Sequence, residues 1–446
     1  MSAPIHRVGL SLSGGGYRAS AFHLGTLRKL SEMGILEKVD IISTISGGSI
    51  TGAYFALHSN PPEFNTFFNS MKEKILHRSV ISRLLLTSTF LLFILFLAVF
   101  LFGFFYFLFT SQPVLSLLSI AILVLLLLKF QFRLFPVSRA IEKIYDSFFY
   151  EGKKLGDLPD RPLLVIGSTN LQTSRPFTFA KDCMQDSTYS YLVPPVIFNP
   201  ENFPIARAVM ASSCVPFAFT PVPIAAEFFV DPVNANKYHP LLVDGGVYDN
   251  QGIHKLVTTG QYQCDTIITS DAGGGETGEL TFRNTISLLI TSMNVFMARI
   301  KKAQMAEDIY QNAATANREI AYFSLGWDAE LLIEGFVKNL AAGQITKSVI
   351  AAHELRPEWI ADPKSYSDQI AEYLKSRIEF DPNKLPTATE KKIARDVPTG
   401  LSSLSQSQFD TLVKQAEVLT ELQVKLYCPS LIGKYATAFF EIRKAE

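Results

Sequence analysis

The chain has 446 residues, enough for one large core or two moderate ones. Lys and Arg (41) balance Asp and Glu (41), so no global charge points to nucleic acid as a partner. Hydrophobic residues make up 48% and mean hydropathy is +0.19, high for a soluble enzyme, so part of the apolar content needs a location of its own.

The N-terminus runs straight into a strand-like segment, without the basic region, apolar stretch and small-residue cleavage site of a secretory signal. The opening order is strand (Val8–Ser13), glycine turn, helix (Ala19–Met33), strand (Val39–Ile45), small-residue turn and helix (Ile50–Leu57). Such a βαβα beginning predicts an α/β fold with a largely parallel sheet, whose ligands bind at the carboxyl ends of the strands. Both turns sit at such ends.

The first turn, SGGGYRASAFHLG, has two readings. Gly14, Gly16 and Ala19 satisfy the dinucleotide fingerprint G-x-G-x-x-G/A, which wants an acidic residue near the end of the second strand. Asp40 instead begins that strand, and Ser46-Gly47-Gly48 occupy its end, so a nucleotide site is disfavoured. The preferred reading is an oxyanion hole, in which the N–H groups of Gly14, Gly15 and Gly16 converge at a helix N-terminus. Arg18 follows, to pair with a phosphate or to cap a surface carboxylate. His23, further along the helix, reads as packed.

The second turn, TISGGS, gives Ser46 the strand–turn–helix setting of a nucleophile elbow. The usual pattern G-x-S-x-G is broken by Thr44. Gly47 and Gly48 allow the tight turn, and Gly47 offers one more N–H to an oxyanion. The plainer alternative is that Ser46 or Ser49 only caps the helix, and the window alone does not decide.

From Leu84 to Phe109 no charge appears, and after TSQP a second apolar run begins at Val114 and reaches Phe135 if Lys129 and Arg133 snorkel. At about 1.5 Å per residue the runs span roughly 39 and 33 Å, against a hydrocarbon core of about 30 Å. Lys72, Lys74, Arg78 and Arg83 precede this hairpin, Lys129, Arg133, Arg139 and Lys143 close or follow it, and its turn is uncharged. The positive-inside rule then puts both flanks in the cytoplasm. A re-entrant loop and a buried helical hairpin are the alternatives.

A serine hydroxyl needs a neighbour to take its proton. Asp244, ending the apolar strand of PLLVDGGVYDN, is the best candidate, with Asp231, Asp249, Asp265 and Asp271 as competitors. The order Ser46, Asp244, then His254 or His353 would suit an α/β-hydrolase triad, but there the elbow follows several strands and Ser46 stands on the second. A Ser–Asp pair without histidine is preferred. The four cysteines (Cys183, Cys214, Cys264, Cys428) lie far apart and read as buried thiols, not a metal site or disulfide frame. Asn284–Asn317 reads as one long amphipathic helix with Lys301 and Lys302 on a solvated face, REIAYFSLGW as a strand, and the remainder as polar and helical.

Four segments in this order, SGGGYRASAFHLGTLRKL, TISGGS, ARAVMASSCVPFAFTPV and VDGGVYDN, resemble the patatin-like phospholipase family. The resemblance covers residues 1–80 and about 140–275, and is weaker through LLVIGSTNLQTSRPFTFA and VPTGLSSLSQSQFDTLVKQA. It implies a three-layer sandwich with Ser46 as nucleophile, Asp244 as its base, Gly14, Gly15 and Gly16 as the oxyanion loop, and Arg18 in the place of the family's basic residue. No metal or cofactor is implied. Thr44 and the hairpin are the departures from the family pattern.

The expected organisation is a catalytic domain in two parts (1–83 and 136–325), a transmembrane hairpin (84–135) and a mainly helical C-terminal region (326–446). The expected function is a membrane-anchored lipid acyl hydrolase of phospholipase A or lysophospholipase type. It would act from the cytoplasmic face on phospholipid or lysophospholipid of the bilayer. A catalytically silent membrane scaffold or lipid-binding protein of the same fold is the rival expectation.

Overall fold

The computed structural model describes residues 6–58, 64–274 and 284–433; the last residues of the expected C-terminal region lie outside this set. Among the described residues nine strands form one sheet: β1 (Val8–Leu12), β2 (Ile41–Ile45), β3 (Leu163–Asn170), β4 (Arg175–Phe179), β5 (Met184–Asp186), β6 (Val222–Pro223), β7 (Leu241–Asp244), β8 (Thr266–Asp271) and β9 (Glu319–Ser324). The central five run parallel in the order β3-β2-β1-β8-β9. Beyond β3 the sheet turns antiparallel through β4 and β5, and β7 adds antiparallel to the last residues of β3.

Successive residues of a strand point to opposite faces, and here both faces are apolar. Leu10, Ile42, Leu164, Ile166 and Ile268 enter the main core, while their neighbours Ile41, Val165 and Ile267 join a second cluster with Ile253, Leu256 and Ile320. The sheet is therefore buried on both sides, as the apolar runs of the sequence require.

The helices α1 (Gly16–Glu32) and α2 (Gly47–His58) each begin three residues before the expected start. The glycines make the first helical turn instead of preceding it. A long C-terminal helix, Gln406–Tyr427, lies along α1 in the same core. The contact is so close that a Cβ on Gly25 would fall 2.4 Å from the Val413 carbonyl oxygen.

After α3 (Phe64–His77) and α4 (Val80–Leu85) come the apolar helices α5 (Ser88–Phe109) and α6 (Pro113–Leu134), then α7 (Val137–Tyr145). At 22 residues each, α5 and α6 are about 33 Å long. They are long and apolar enough to cross a membrane, and no residue of α5 is buried. They pack antiparallel, with the Ser116 and Ser119 hydroxyls donating to the Phe104 and Phe100 carbonyls at 2.9 Å, so polar groups within the pair find partners inside it. The expected single helix over 284–317 is α-helical only at Thr285–Gln304; a π-helical turn, Met305–Tyr310, interrupts it before Asn312–Thr315.

Because α4 and α7 pack on each other at the base of the hairpin, the hairpin is removable in principle. Replacing residues 88–134 by a short Gly/Ser linker should yield a folded protein that stays in the aqueous phase on detergent phase separation, with unchanged α/β circular dichroism. The full chain should partition into detergent. Recovery of the full chain from the aqueous phase would contradict membrane insertion.

Candidate active site

Strand β3 brings the two ends of the site together. Its first five residues pair in parallel with β2, ending at Gly167 opposite Ile45. Its last three pair antiparallel with β7, where Ser168 faces Asp244. The other edge of β3 is taken by β4, so β2 and β7 share one edge and meet head to head. Ser46, the next residue after β2, thereby reaches Asp244, the last residue of β7. The Ser46 side chain comes near enough to the Asp244 carboxylate to hold its pKa down against burial.

Ser46 has φ +49°, a left-handed conformation that costs a non-glycine residue roughly 1–2 kcal/mol. Its N–H donates to the Ser212 hydroxyl (2.9 Å), which in turn donates to the Gly167 carbonyl (2.6 Å). The Ser212 carbonyl accepts the Gly245 N–H (3.1 Å), so one residue pins both strand ends. Thr44, in place of the elbow's first glycine, is fully buried. Space for it comes from Gly52 on α2, where a Cβ would fall 2.5 Å from the Thr44 methyl.

The glycine loop lies against the elbow. A Cβ on Gly47 would fall 2.3 Å from the Gly16 carbonyl oxygen, and one on Gly16 would fall 2.2 Å from that of Gly400. Of the expected donors, Gly14 is already engaged: its N–H binds the Asn250 carbonyl at 2.9 Å. Its contribution is the missing side chain, since a Cβ there would meet Asn250 Oδ1 at 2.4 Å. The N–H groups of Gly15, Gly16 and Gly47 have no backbone acceptor among the described residues, and Gly16 and Gly47 open α1 and α2.

Arg18 is largely buried beside this loop. Its Nη1 donates to the Val397 carbonyl (3.2 Å), while its Nε is buried without a hydrogen-bond partner. Burial pulls its pKa down, opposed by the charge of Asp271. His23 lies beneath the loop, with Nε2 at 2.9 Å from the Ser13 carbonyl and Nδ1 at 2.9 Å from the Ser270 hydroxyl. A carbonyl only accepts, so Nε2 carries the proton; burial, outweighing Ser13 and Asp271, lowers the pKa to about 4, and the ring is neutral.

Asp244 is buried, with no cation beside it among the described residues. Burial pushes its carboxyl up to about 6, against the hydrogen bond from the Gly246 N–H (2.7 Å) and the neighbouring Ser46 side chain. The competing acids have local tasks. Asp249 accepts the N–H groups of Gln251, Gly252 and His254, Asp231 caps a short turn at Val233, and Asp265 accepts the Arg7 N–H. The ring of His254 packs on Tyr248, and that of His353 is buried against Phe336 with Nε2 on the Leu426 carbonyl. Among the described residues no three His, Cys, Asp or Glu side chains gather as metal ligands. A cleft of about 420 Å³ lies beyond β9, lined by Tyr310, Trp327, Leu331 and Tyr427, and does not include Ser46.

Lys301 is not on a solvated face. It pairs with the fully buried Asp271, which also accepts the Tyr322 hydroxyl (2.5 Å) and the Gly273 N–H (2.8 Å). Burial would raise the Asp271 pKa, but Lys301 and these hydrogen bonds outweigh it and hold the carboxyl below its ordinary value. Sequence reading named Asp271 and Lys301 without pairing them, and the segments it singled out contain Ser212, Asn250 and Val397–Gly400 without a role for them. Each was visible only as a short polar stretch or a glycine far along the chain. Lys301→Met would strand a buried carboxylate and should destabilise the protein by about 3–5 kcal/mol in thermal melts. Adding Asp271→Asn should recover much of that loss.

The family model for patatin-like phospholipase matches residues 10–257. No curated protein matches the chain. Among solved structures, human GIVD cytosolic phospholipase A2 is similar at 14% identity and a TM-score of 0.47, covering 98% of this chain and 60% of that one. The same human protein in complex with methyl gamma-linolenyl fluorophosphonate aligns at 13% identity and a TM-score of 0.41, covering 99% and 60%. VipD from Legionella pneumophila aligns at 15% identity and a TM-score of 0.33, covering 98% and 89%. The chain thus spans about 60% of the length of the cytosolic phospholipase A2 chains it matches. The family match takes in more than half of the 446 residues, including the glycine loop, the Ser46 elbow and the Asp244 turn, and the chain belongs to the patatin-like phospholipase family.

Proposed function

We propose that this protein is a membrane-anchored lipid acyl hydrolase that cleaves carboxylic esters through a Ser46–Asp244 dyad. The observation that carries the proposal is the head-to-head meeting of β2 and β7 on β3, which sets a strained serine beside a buried carboxylate that has no cation among the described residues. Asp244 accepts the Ser46 proton as Oγ attacks the ester carbonyl carbon; the carbonyl oxygen becomes an oxyanion. The N–H groups of Gly15, Gly16 and Gly47, at two helix N-termini, receive it, each such donor being worth roughly 3–4 kcal/mol in the transition state. Collapse expels the lyso-lipid alcohol, which takes up the proton from Asp244, and water then releases the acyl group by the reverse sequence.

Arg18, with a buried Nε lacking a partner, offers a cation to the phosphate of a phospholipid or lysophospholipid. The α5–α6 hairpin holds the domain at the bilayer, and the basic residues at both its flanks favour the cytoplasmic face.

An active-site-directed fluorophosphonate tests the chemistry. The full chain in detergent should be labelled, and Ser46→Ala should abolish labelling; labelling that survives would move the nucleophile elsewhere. Wild-type protein that never labels would favour the silent scaffold.

Asp244 makes a second test, with the sign set by its raised pKa. Only the carboxylate is a base, so activity should rise with pH through about 6 and level off above. A carboxyl whose folded pKa is raised stabilises at low pH and loses that contribution as pH passes about 6. Asp244→Asn should therefore be inactive yet more stable than wild type at pH 8, by about 1–3 kcal/mol, with the advantage gone at pH 4. Thermal melts followed by tryptophan fluorescence check this, and an Asn variant less stable at pH 8 would contradict it.

A further inference from the structure

The two roots of the hairpin are fastened to the two halves of the site. On the entering side, the Arg78 carbonyl accepts the Tyr17 hydroxyl (2.9 Å) and the Val80 N–H donates to the Leu401 carbonyl (3.0 Å). The adjacent Gly400 carbonyl accepts the Tyr17 N–H (2.8 Å), directly beside Gly16. On the leaving side, the Ser138 hydroxyl donates to the Thr220 carbonyl, and the Cys214 carbonyl at the start of the same loop accepts the Asp244 N–H (2.8 Å). Ser46 thus lies between the two points where the chain enters and leaves the apolar hairpin.

That same end of the sheet exposes apolar groups outside the hairpin. In the loop between Cys214 and Thr220, Phe217 is 65% exposed and held at φ +68°, a conformation unfavourable for a bulky residue. The helix Thr285–Gln304 crosses the same end: a Cβ on Gly246 would fall 3.1 Å from the Met297 methyl, and Lys301 reaches Asp271. Next to Met297, Val295 and Phe296 are 60% and 65% exposed, and Leu288 and Leu289 are also exposed. Apolar groups gathered at one end of a protein mark an interaction surface, and an amphipathic helix carrying Arg299 and Lys302 fits a headgroup layer.

We propose that the Phe217 loop and the Leu288–Phe296 stretch form a second, shallow membrane-contacting surface, so that substrate approaches Ser46 from the bilayer, between this surface and the hairpin. The occupant is the lipid leaflet, because the Phe217 loop is tied at Thr220 to Ser138 at the root of the hairpin, whose two helices are almost wholly unburied. The inference rests on the hairpin spanning the bilayer, as proposed above. Its consequence is that a lipid acyl chain reaches Ser46 without crossing water.

The test uses the full chain in phosphatidylcholine vesicles containing phosphatidylcholine spin-labelled near the headgroup. Tryptophan introduced as Phe217→Trp or Phe296→Trp should be quenched more strongly by the labelled lipid than the native Trp327 and Trp359. An introduced tryptophan quenched by aqueous iodide but not by labelled lipid would overturn the proposal, and so would one shielded from both, as a contact with a second copy would produce. The double variant Phe217→Asp/Phe296→Asp should lose about tenfold in hydrolysis of vesicle phospholipid while hydrolysing a water-soluble short-chain ester like wild type. Unchanged vesicle hydrolysis would overturn the proposal. Wild type inactive on both substrates would overturn the hydrolase reading alone, since the quenching readout needs no catalysis. A full chain that fails to float with vesicles would overturn the anchoring and this surface together.

Discussion

One edge of one strand holds the site together. β3 is eight residues long, and β2 covers only its first five, leaving three unpaired backbone positions on that edge. Buried backbone groups need partners, and β7 supplies them by arriving from the opposite direction. The junction forces the chain at Ser46 and at Asp244 to turn away from the same point. Ser212 ties both turns, with its hydroxyl on the elbow and its carbonyl on Gly245. Everything else in the site is arranged around that junction.

Close backbone approach follows from it. The backbone at Gly16 passes so close to the segments at Gly47 and Gly400 that neither Gly16 nor Gly47 has room for a side chain. Two helix N-termini, at Gly16 and Gly47, consequently lie side by side with N–H groups that have no backbone acceptor among the described residues. The same packing draws in the C-terminal segment, which touches the glycine loop on one side and the base of α4 on the other. The C-terminal region and the hairpin roots are in this sense parts of the site's framework, although neither supplies a reacting group.

Two strand-end aspartates show how environment separates roles. Asp271 and Asp244 are both buried and both followed by glycine-rich turns. Asp271 receives Lys301 and the Tyr322 hydroxyl and is held ionised as a structural charge. Among the described residues Asp244 accepts the Gly246 N–H and has no cation beside it, so desolvation wins and its carboxyl moves toward neutral pH. Titratable groups whose environments push them apart in this way are candidates for different tasks, as proposed for Asp244.

Much of this was legible in the sequence where the determinants are local. The apolar alternation of the strands, the glycines at two strand ends, the uncharged hairpin and the D-G-G turn each lie within a few consecutive residues, and local backbone preference and solvent partition act on that scale. Helix starts at Gly16 and Gly47 were placed three residues late because glycine reads as a turn until its N–H is seen facing a site. Gly14's engaged N–H, the room Gly52 makes for Thr44, the burial of Lys301 against Asp271, and the seating of Gly400 on Gly16 were not legible. Each depends on segments remote in sequence coming within a few ångströms. Which residues are candidates for the chemistry was thus written locally, whereas their distances, protonation and supports came from long-range pairing along β3, because only the folded chain removes water from these groups and sets which of them share a boundary.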